Sequence, residues 1–242
     1  MSKPKTRLYM KSTLKSGAEI ELGKDHVHFL ANVLRLKLGS QISLFNADCG
    51  EWSATLDTLS KRHGSAWVGE QTRRPRPEPG PWLVFAPVKK TRTDFIIEKA
   101  TELGAERLLP VFTKFTATGR VNIERMSAIA IEAAEQCQRL SVPEINAPCT
   151  LQELLANWPA TRKLFVGDEK GGGLPLAQVL SAEDRGEANG FLVGPEGGFS
   201  DDEINFVGAQ RFCQTIDLGP RILRAETAAT ACLSVWNALT GR

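Results

Sequence analysis

The sequence predicts an α/β protein in which a smaller β-rich domain precedes a parallel sheet with helices on both faces. Residues 82–242 alternate short apolar strands with helical segments, which is the order expected of a parallel sheet. Residues 1–72 contain short, partly alternating segments rich in residues that favour sheets. Residues 73–81 are rich in proline and arginine, so we expect a linker between the two domains.

The front domain is predicted to be a small β-barrel. Its predicted strands are QISLFNA (41–47), EWSATLDTLS (51–60) and SAWVGEQT (65–72). A helix is predicted before them over residues 25–39, since Phe29, Val33 and Leu36 fall on one stripe. Gly39 supplies its stop signal.

The second domain is predicted to repeat the order strand, loop, helix. Its predicted strands are WLVFA (82–86), RLLPVF (107–112), KLFVG (163–167), GFLVG (190–194) and QTIDLG (214–219). Its predicted helices are one carrying Phe95, Ile96, Ala100 and Leu103 that stops at Gly104, one from Asn122 to about Leu140, one beginning at the capping box of Thr150 and Glu153, and one beginning at Ser200. The last helix, which follows LGPRILR, is rich in small residues and is predicted to be buried on most of its surface.

Composition places the chain among ordinary globular proteins. It has 242 residues, of which 42% are hydrophobic and 24% are charged. The first residues, MSKPKTRLYMK, have no apolar signal core, and no apolar run approaches the roughly 20 residues of a membrane span. We therefore expect a cytoplasmic protein with no membrane partner.

The cysteines and histidines do not predict a metal site. The five cysteines are scattered with no CxxC pair, and none of the three histidines has HExxH spacing. We expect buried, reduced thiols and no bound metal.

The net charge of +2 is unevenly distributed along the chain. Residues 1–81 contain 13 Lys and Arg against 8 Asp and Glu, whereas residues 82–242 contain 17 against 20. A basic front part beside a mildly acidic second part is weak support for contact with a polyanion such as nucleic acid.

Three predicted strands end on glycine, at Gly167, Gly194 and Gly219. In open α/β sheets, ligands bind in the crevice outside the carboxyl ends of the strands. We therefore expect the three exits to converge on one binding crevice, although glycine is also a common residue at the end of a strand.

The stretch FLVGPEGGFSDDEI (191–204) combines a strand, a glycine-rich turn and a helix start, an arrangement that often binds phosphate. Here the loop carries Glu196 and no lysine, and the helix opens with the capping box of Ser200 and Glu203. Carboxylates already occupy the positive helix end, and neither the Walker pattern nor GxGxxG is present. The loop therefore favours a neutral or cationic ligand, or is a plain tight turn.

Several long motifs, in order, resemble one family. These motifs are VGPEGGFSDDE, LGPRILRAETA, IIEKATELGAERLLPVFT, AAEQCQR, VPEI and, in the front domain, HFLANVLRLKLGS. The chain resembles the bacterial small-subunit ribosomal RNA methyltransferases that act on N3 of a uridine, in the SPOUT superfamily, over nearly its whole length. The resemblance implies a PUA-like RNA-binding barrel, a SPOUT domain with a trefoil knot, S-adenosylmethionine as cofactor, a homodimer, and small-subunit ribosomal RNA or the assembled subunit as partner.

The resemblance also implies a set of site residues. The implied cofactor-binding residues are Val193, Gly194, Pro195, Glu196, Gly197, Gly198, Leu218, Gly219, Ile222, Leu223, Arg224, Thr227 and Ala228. Methyl transfer to a ring nitrogen needs positioning of donor and acceptor and no metal. The weakly acidic N3 proton must leave, either to a general base or with an arginine stabilising the charge on the uracil oxygens.

The hypothesis for catalysis is that Arg139 and Arg224 hold the RNA backbone or the uracil, while Glu196 or Glu226 orders the site. Whether Glu196 touches the ligand or only holds the turn stays open. Phosphate contacts are predicted for cations of the basic front domain, namely Arg7, Lys11, Arg35 and Lys37.

Two other functions compete with this interpretation. A nucleotide-dependent oxidoreductase would need a glycine fingerprint with an acidic ribose partner, and neither is present in the sequence. A ribosome-assembly factor that binds RNA without catalysis would suit the basic front domain equally well, but would leave the glycine loops without a purpose. Binding of S-adenosylmethionine rather than NAD(P) would distinguish a methyltransferase from the oxidoreductase. Methyl transfer to RNA would distinguish it from the assembly factor.

Overall fold

The computed structural model describes residues 4–167, 171–182 and 189–240, with side chains omitted at 181 and 182. The chain forms two compact units. Unit 1 combines Met1–Glu78 with Ala134–Val142, and unit 2 combines Pro79–Ala133 with Pro143–Arg242. Residues of the first unit therefore come from two separate parts of the sequence.

Unit 1 is built on a curled, half-barrel sheet. Its elements are β1 (Arg7–Tyr9), β2 (Glu19–Leu22), α1 (Lys24–His28), a π-helix (Phe29–Val33), β3 (Gln41–Asn46), β4 (Gly50–Leu59) and β5 (Gly64–Arg73). In the described residues the strand order is β1-β3-β4-β5-β2, antiparallel except for the parallel pair β1 and β3. The β-rich front part that the sequence predicts is confirmed.

The predicted helix over residues 25–39 is wrong in its second half. After α1 and the π-helix, the chain turns at Arg35, whose φ is 51°, and the Leu36 N–H donates to the Leu30 carbonyl at 2.8 Å. Val27 and Leu30 are buried, whereas Val33 is 59% exposed. The left-handed residue ends the helix before Gly39 because it turns Leu36 back onto the core.

Segment 134–142 completes the core of unit 1 beside Phe45. Ala134 and Leu140 are buried against Phe45, and Tyr9 packs edge-on to the same ring at 5.9 Å. The segment begins in the last turn of the helix Ile123–Cys137, which ends where Gln138 takes a φ of 66°, short of the predicted end near Leu140. Two sequence segments that are far apart therefore share one core.

Unit 2 is a parallel α/β sheet. Its elements are β6 (Trp82–Phe85), α2 (Lys90–Glu102), β7 (Arg107–Phe112), α3 (Ile123–Cys137, whose last residues belong to unit 1), β8 (Glu144–Ile145), β9 (Cys149–Thr150), α4 (Leu151–Ala156), β10 (Lys163–Gly167), β11 (Leu174–Pro175), α5 (Leu176–Ala182), β12 (Asn189–Val193), α6 (Asp201–Gly208), β13 (Cys213–Asp217) and α7 (Ala225–Thr240). The strand order in the described part is β11-β13-β10-β12-β6-β7-β8, with β9 beside β7, and every pair is parallel. The predicted fold class is confirmed.

The central strands are apolar because both of their faces are covered. Val84, Phe165 and Phe191 are fully or almost fully buried, as expected for a parallel sheet between helices. The sheet order sets β10 between β12 and β13. The carboxyl ends of these three strands are therefore adjacent at one edge of the sheet.

Helix α7 differs from its prediction. It buries one stripe, formed by Ala225, Ala229, Cys232, Leu233 and Trp236. Thr227 and Ser234 are exposed, so the helix is not buried on most of its surface. The small residues allow one face of the helix to pack closely, but they do not indicate that its other faces are buried.

Some expectations are not tested by the fold. The trefoil knot and the domain boundaries at 72 and 82 stay predictions. The described cysteines are free thiols, of which Cys232 is buried while the other four are half-buried, contrary to the expectation of general burial. In the described part of the chain, no helix has the length and apolar character needed to cross a membrane.

Candidate functional site

A cavity of about 620 Å³ opens at the carboxyl ends of β10, β12 and β13. Gly167, Gly194 and Gly219, the three predicted strand exits, all line it. The described lining is formed by Arg92, Gly167, Gly171, Val193, Gly194, Pro195, Glu196, Gly198, Phe199, Ile216, Asp217, Leu218, Gly219, Pro220, Arg221, Ile222, Leu223, Arg224, Ala225 and Ala228. The convergence that the glycine exits predict is confirmed.

The loop from Gly194 to Gly198 forms one wall of the cavity. The Gly198 N–H donates to the Pro195 carbonyl at 3.0 Å, and Gly198 has a φ of 69°, which closes a tight turn. A Cβ added at Gly194 would lie 2.8 Å from the Phe199 ring, so the strand exit has no room for a side chain. The wall is therefore mostly backbone.

Helix α6 begins directly after this loop, and its N-terminus is already capped. Ser200 accepts from the backbone N–H of Glu203, and the Glu203 carboxylate accepts from the backbone N–H and hydroxyl of Ser200 at 2.9 and 3.1 Å. Glu203 Oε1 also accepts the Lys114 N–H at 2.8 Å, and the side chain is buried. A buried carboxylate holds the helix start, so this end does not offer a phosphate cradle.

The loop after β13 forms the opposite wall. The Gly219 N–H donates to Asp217 Oδ1 at 2.8 Å, and Gly219 adopts a φ of 111°, which favours glycine. Ile222 is 81% exposed although it lines the cavity. The Arg224 carbonyl accepts the Ala228 N–H at 2.8 Å and so starts α7 directly at the cavity.

Arg92, in the first turn of α2, connects the two walls. Its Nη1 forms an ion pair with Glu196 of the first loop, and its Nε lies 3.5 Å from Glu226 Oε1 in the first turn of α7. Glu226 Oε2 is buried and has no hydrogen-bond partner among the described residues. Arg92 itself lines the cavity with a side chain that is 30% exposed.

Most predicted cofactor residues lie in this cavity. The predicted residues that line it are Val193, Gly194, Pro195, Glu196, Gly198, Leu218, Gly219, Ile222, Leu223, Arg224 and Ala228. Gly197 instead faces Phe115, whose Cβ would lie 3.1 Å from a Cβ added at Gly197. Thr227 is exposed on α7, and Glu226 reaches the site through its ion pair with Arg92.

The predicted catalytic Arg139 belongs to unit 1 and does not line the cavity. Its side chain is 10% exposed, its Nη2 donates to Ser141 Oγ at 2.9 Å, and its Nε lies 4.0 Å from Glu78 Oε2. Burial lowers the pKa of the Arg139 guanidinium, and the Glu78 carboxylate opposes that effect. These contacts indicate a structural position within unit 1.

The predicted RNA-binding cations divide into two groups. Lys11, Arg35 and Lys37 are exposed. Arg7 is 12% exposed in its side chain, and its guanidinium donates to the carbonyls of residues 134, 135 and 139 and pairs with Glu51 at 3.1 Å. An arginine bound to three carbonyls at a helix C-terminus has few donors left for phosphate.

Sequence reasoning missed Arg92. It is one of three cations in the stretch VKKTR, and nothing in that local pattern separates it from Lys89 or Lys90, which are exposed. Its position after the β6 exit was the available signal, because β6 lies beside β12 in the sheet. Ile216 and Asp217, at the end of β13, also line the cavity and were not predicted.

Comparison with known proteins identifies the family. The family model described as "RNA methyltransferase domain" matches residues 77–237. The chain belongs to this RNA methyltransferase family. Among relatives of the family, a protein named ribosomal RNA small subunit methyltransferase E from Rickettsia conorii is 33% identical, with 94% of this chain and 93% of that protein covered. One of the same name from Bacillus subtilis is 31% identical, with 93% and 91% covered.

Solved structures agree with the family assignment. A ribosomal RNA small subunit methyltransferase E from Neisseria gonorrhoeae, bound to S-adenosyl methionine, is 28% identical to this chain with a TM-score of 0.84. The match covers 97% of both chains. A methyltransferase structure from Legionella pneumophila, in complex with bound SAM, is also 28% identical, with a TM-score of 0.81 and coverage of 96% and 97%.

Proposed function

We propose that this protein transfers a methyl group from S-adenosylmethionine to N3 of a uridine in small-subunit ribosomal RNA. The observation that carries the proposal is the cavity of about 620 Å³ between the two glycine-containing loops, at the carboxyl ends of three parallel strands. The names of the Rickettsia and Bacillus relatives support the RNA substrate. The Neisseria structure bound to S-adenosyl methionine supports the cofactor.

The residues around the cavity fit a small organic ligand that carries both apolar and polar groups. The volume of about 620 Å³ lies within the range of about 300 to 1,000 Å³ that small-molecule sites occupy. Val193 and Leu218 supply apolar surface. The charged groups of the described lining are the carboxylates of Glu196 and Asp217 and the guanidinium groups of Arg92, Arg221 and Arg224.

The chain's own residues would bind and orient the reactants. When bound, S-adenosylmethionine supplies a methyl group on a positively charged sulfonium. We assign its binding to the two loops, from Val193 to Gly198 and from Leu218 to Arg224, followed by Thr227 and Ala228. Backbone groups of these loops can meet the hydrogen-bonding edges of an adenosine closely.

RNA contacts are assigned to exposed cations. Arg224 is exposed and lines the cavity, so it can reach the backbone or base of an RNA that enters it. In unit 1 the exposed Lys11, Arg35 and Lys37 are assigned to phosphates. Arg7 and Arg139 are not included among the RNA-binding residues, and we assign them the structural role of holding segment 134–142 in place. A target base within folded RNA would have to leave its stack to reach the cavity.

The remaining expectations are also part of the proposal. They are a PUA-like role for residues 1–72, a linker at 73–81, a knotted SPOUT domain at 82–242, a homodimer, and a cytoplasmic place of action beside the ribosome. Light scattering on the purified chain tests the dimer directly, because a mass close to that of one chain would rule it out.

The decisive experiment incubates the protein with labelled methyl donor and unmodified small-subunit RNA or particles, and then separates the nucleosides. Labelled 3-methyluridine is the expected product. Label in another nucleoside would overturn the N3 assignment, and no label would favour an RNA-binding assembly factor. Calorimetry separates the oxidoreductase alternative, since S-adenosylhomocysteine should bind whereas NAD(P) should not.

A further inference from the structure

The ion-paired arginine of the cavity points to a further role in the reaction. Arg92 is held from two sides, by Glu196 of the loop after β12 and by Glu226 of α7. Three separate elements therefore fix one guanidinium at the cavity wall. A donor whose orientation is set before the substrate arrives is the arrangement that stabilises charge developing in a reaction.

Arg92 is the least exposed of the cations around the cavity. The described cations that line it are Arg92, Arg221 and Arg224, and the last two are exposed. The ion pairs engage Nη1 and Nε of Arg92, and no carboxylate of the described residues pairs with Nη2. Two N–H groups are thus available on the guanidinium that is best shielded from water, where interactions with charge are stronger.

The chemistry rests on the proposed function. The N3–H bond of uracil must break, its electron pair stays on the ring, and the proton passes to water. Negative charge is then shared by N3 and the oxygens O2 and O4. The N3 lone pair forms the bond to the methyl carbon while the carbon–sulfur bond breaks, and the electron pair of that bond returns to sulfur. A group that stabilises the uracil anion therefore lowers the barrier.

We propose that Arg92 is a catalytic residue whose Nη2 donates to O2 or O4 of the target uracil. Glu196 and Glu226 are positioning residues that hold the guanidinium in place. A bound arginine donor favours the ionised base over the neutral one, so the N3 pKa of uracil falls on binding.

A purely structural role makes different predictions. If Arg92 only fastens the first loop to α7, its loss weakens cofactor binding or the fold and leaves the acidity of the bound base unchanged. The two roles are therefore separated by a measurement on the base itself, made without methyl transfer.

The test uses the RNA segment that the wild-type protein methylates, with a single 5-fluorouridine at the methylated position. With S-adenosylhomocysteine bound, the fluorine chemical shift is followed against pH in the free RNA, the wild-type complex and the Arg92→Gln complex. The N3 pKa should be lower in the wild-type complex than in free RNA and should return toward the free value with Arg92→Gln. Equal N3 pKa values in the two complexes would overturn the assignment.

Rates and binding complete the experiment. Arg92→Gln should reduce the single-turnover rate on the order of 100-fold, the loss expected for one preorganised donor. Its affinity for S-adenosylhomocysteine should stay close to that of the wild type. Arg211→Gln, which removes an exposed arginine outside the cavity lining, is the matched control and should change neither quantity. A loss of cofactor affinity that accounts for the whole rate loss would overturn the proposal.

Two further controls keep the outcomes distinct. If Arg92→Gln does not fold, Arg92→Lys replaces it, because lysine retains the charge without the planar guanidinium. An N3 pKa in the Arg92→Lys complex equal to that in the wild-type complex would overturn direct donation by the guanidinium. Absence of 3-methyluridine from the wild-type reaction would refute the proposed function. Normal wild-type product with an N3 pKa that binding does not lower would refute only the role of Arg92.

Discussion

At the scale of single residues, the exit of β12 has no room for a side chain. A Cβ at Gly194 would lie 2.8 Å from the ring of Phe199, which is buried in the core beneath the loop. The ring cannot move without disturbing its neighbours, because protein interiors are closely packed. The lack of space explains why a glycine stands at this exit, whether or not a ligand is bound.

We predict that Gly194→Ala lowers stability by about 1 to 3 kcal/mol through overpacking and weakens cofactor binding by displacing the loop. Gly208→Ala is the matched control, because a Cβ at the exposed Gly208, at the end of α6, meets nothing within 4 Å. The control should be neutral or slightly stabilising, since alanine favours helix. Urea unfolding and calorimetry measure both effects, and equal behaviour of the two variants would contradict the packing argument.

Local sequence patterns predicted the glycines at strand ends, but they did not predict ion pairs between distant residues. Gly167, Gly194 and Gly219 could be found because each follows an apolar run within a few positions. Arg92 could not be selected, because its importance comes from Glu196 and Glu226, which lie more than a hundred positions away along the chain. Ion pairs between distant segments leave no periodic signal in the sequence.

At the scale of elements, two helices begin with the same capping box in different surroundings. Thr150 and Glu153 cap α4 in an exposed position. Ser200 and Glu203 cap α6 in a buried one, where Glu203 also binds the Lys114 N–H of the loop after β7. Both boxes were readable from the sequence, but their burial was not.

We predict that Glu203→Ala destabilises the protein by more than Glu153→Ala does. Loss of the exposed Glu153 should cost little, because water can satisfy the Thr150 N–H that it leaves. Loss of Glu203 also leaves the Lys114 N–H without its acceptor, so its cost should be about 1 to 3 kcal/mol higher. Denaturant midpoints of the two variants check this order, and equal midpoints would show that burial of the second box adds nothing.

At the scale of the whole molecule, segment 134–142 belongs to unit 1 although it lies far along the chain from residues 4–78. The contacts that hold it include the Arg7 guanidinium, the packing of Leu140 beside Phe45, and the Glu78 carboxylate. A part that lacks this segment would expose the ring of Phe45, which is fully buried in the structure.

We therefore predict that a fragment of residues 1–78 does not fold cooperatively alone. It would lose the apolar contacts of Phe45 and leave the Arg7 guanidinium without its carbonyl partners. Circular dichroism on heating should show no sharp transition, in contrast to the full chain. A fragment that melts cooperatively at the temperature of the full chain would show that the segment is dispensable.

The Glu78 contact predicts a pH dependence of stability. Burial raises the pKa of Glu78, but hydrogen bonds from Ser141 and Leu140 and the charge of Arg139 outweigh it and leave the pKa below 4.5. The stabilisation is therefore present above pH 4.5 and is lost as the pH falls through the lower folded-state pKa.

Glu78→Gln should lower the free energy of unfolding by about 2 kcal/mol at neutral pH, the range for hydrogen bonds to a charged group. The difference between wild type and variant should shrink as the pH falls below 4.5. Denaturant unfolding at a series of pH values measures this, and a difference that stays constant into acid would refute the role of the Glu78 charge.

The sequence by itself determined the fold class, the capping boxes and the three glycine exits. These depend on hydrophobic runs and turn residues that act over a few neighbouring positions, so they are visible along the chain. Only the tertiary structure decided that Arg7 holds segment 134–142, that Arg139 lies buried beside Glu78, and that Arg92 lies between two carboxylates. The physical reason is that a charged side chain acquires its role from its partners, and here those partners come from distant parts of the chain.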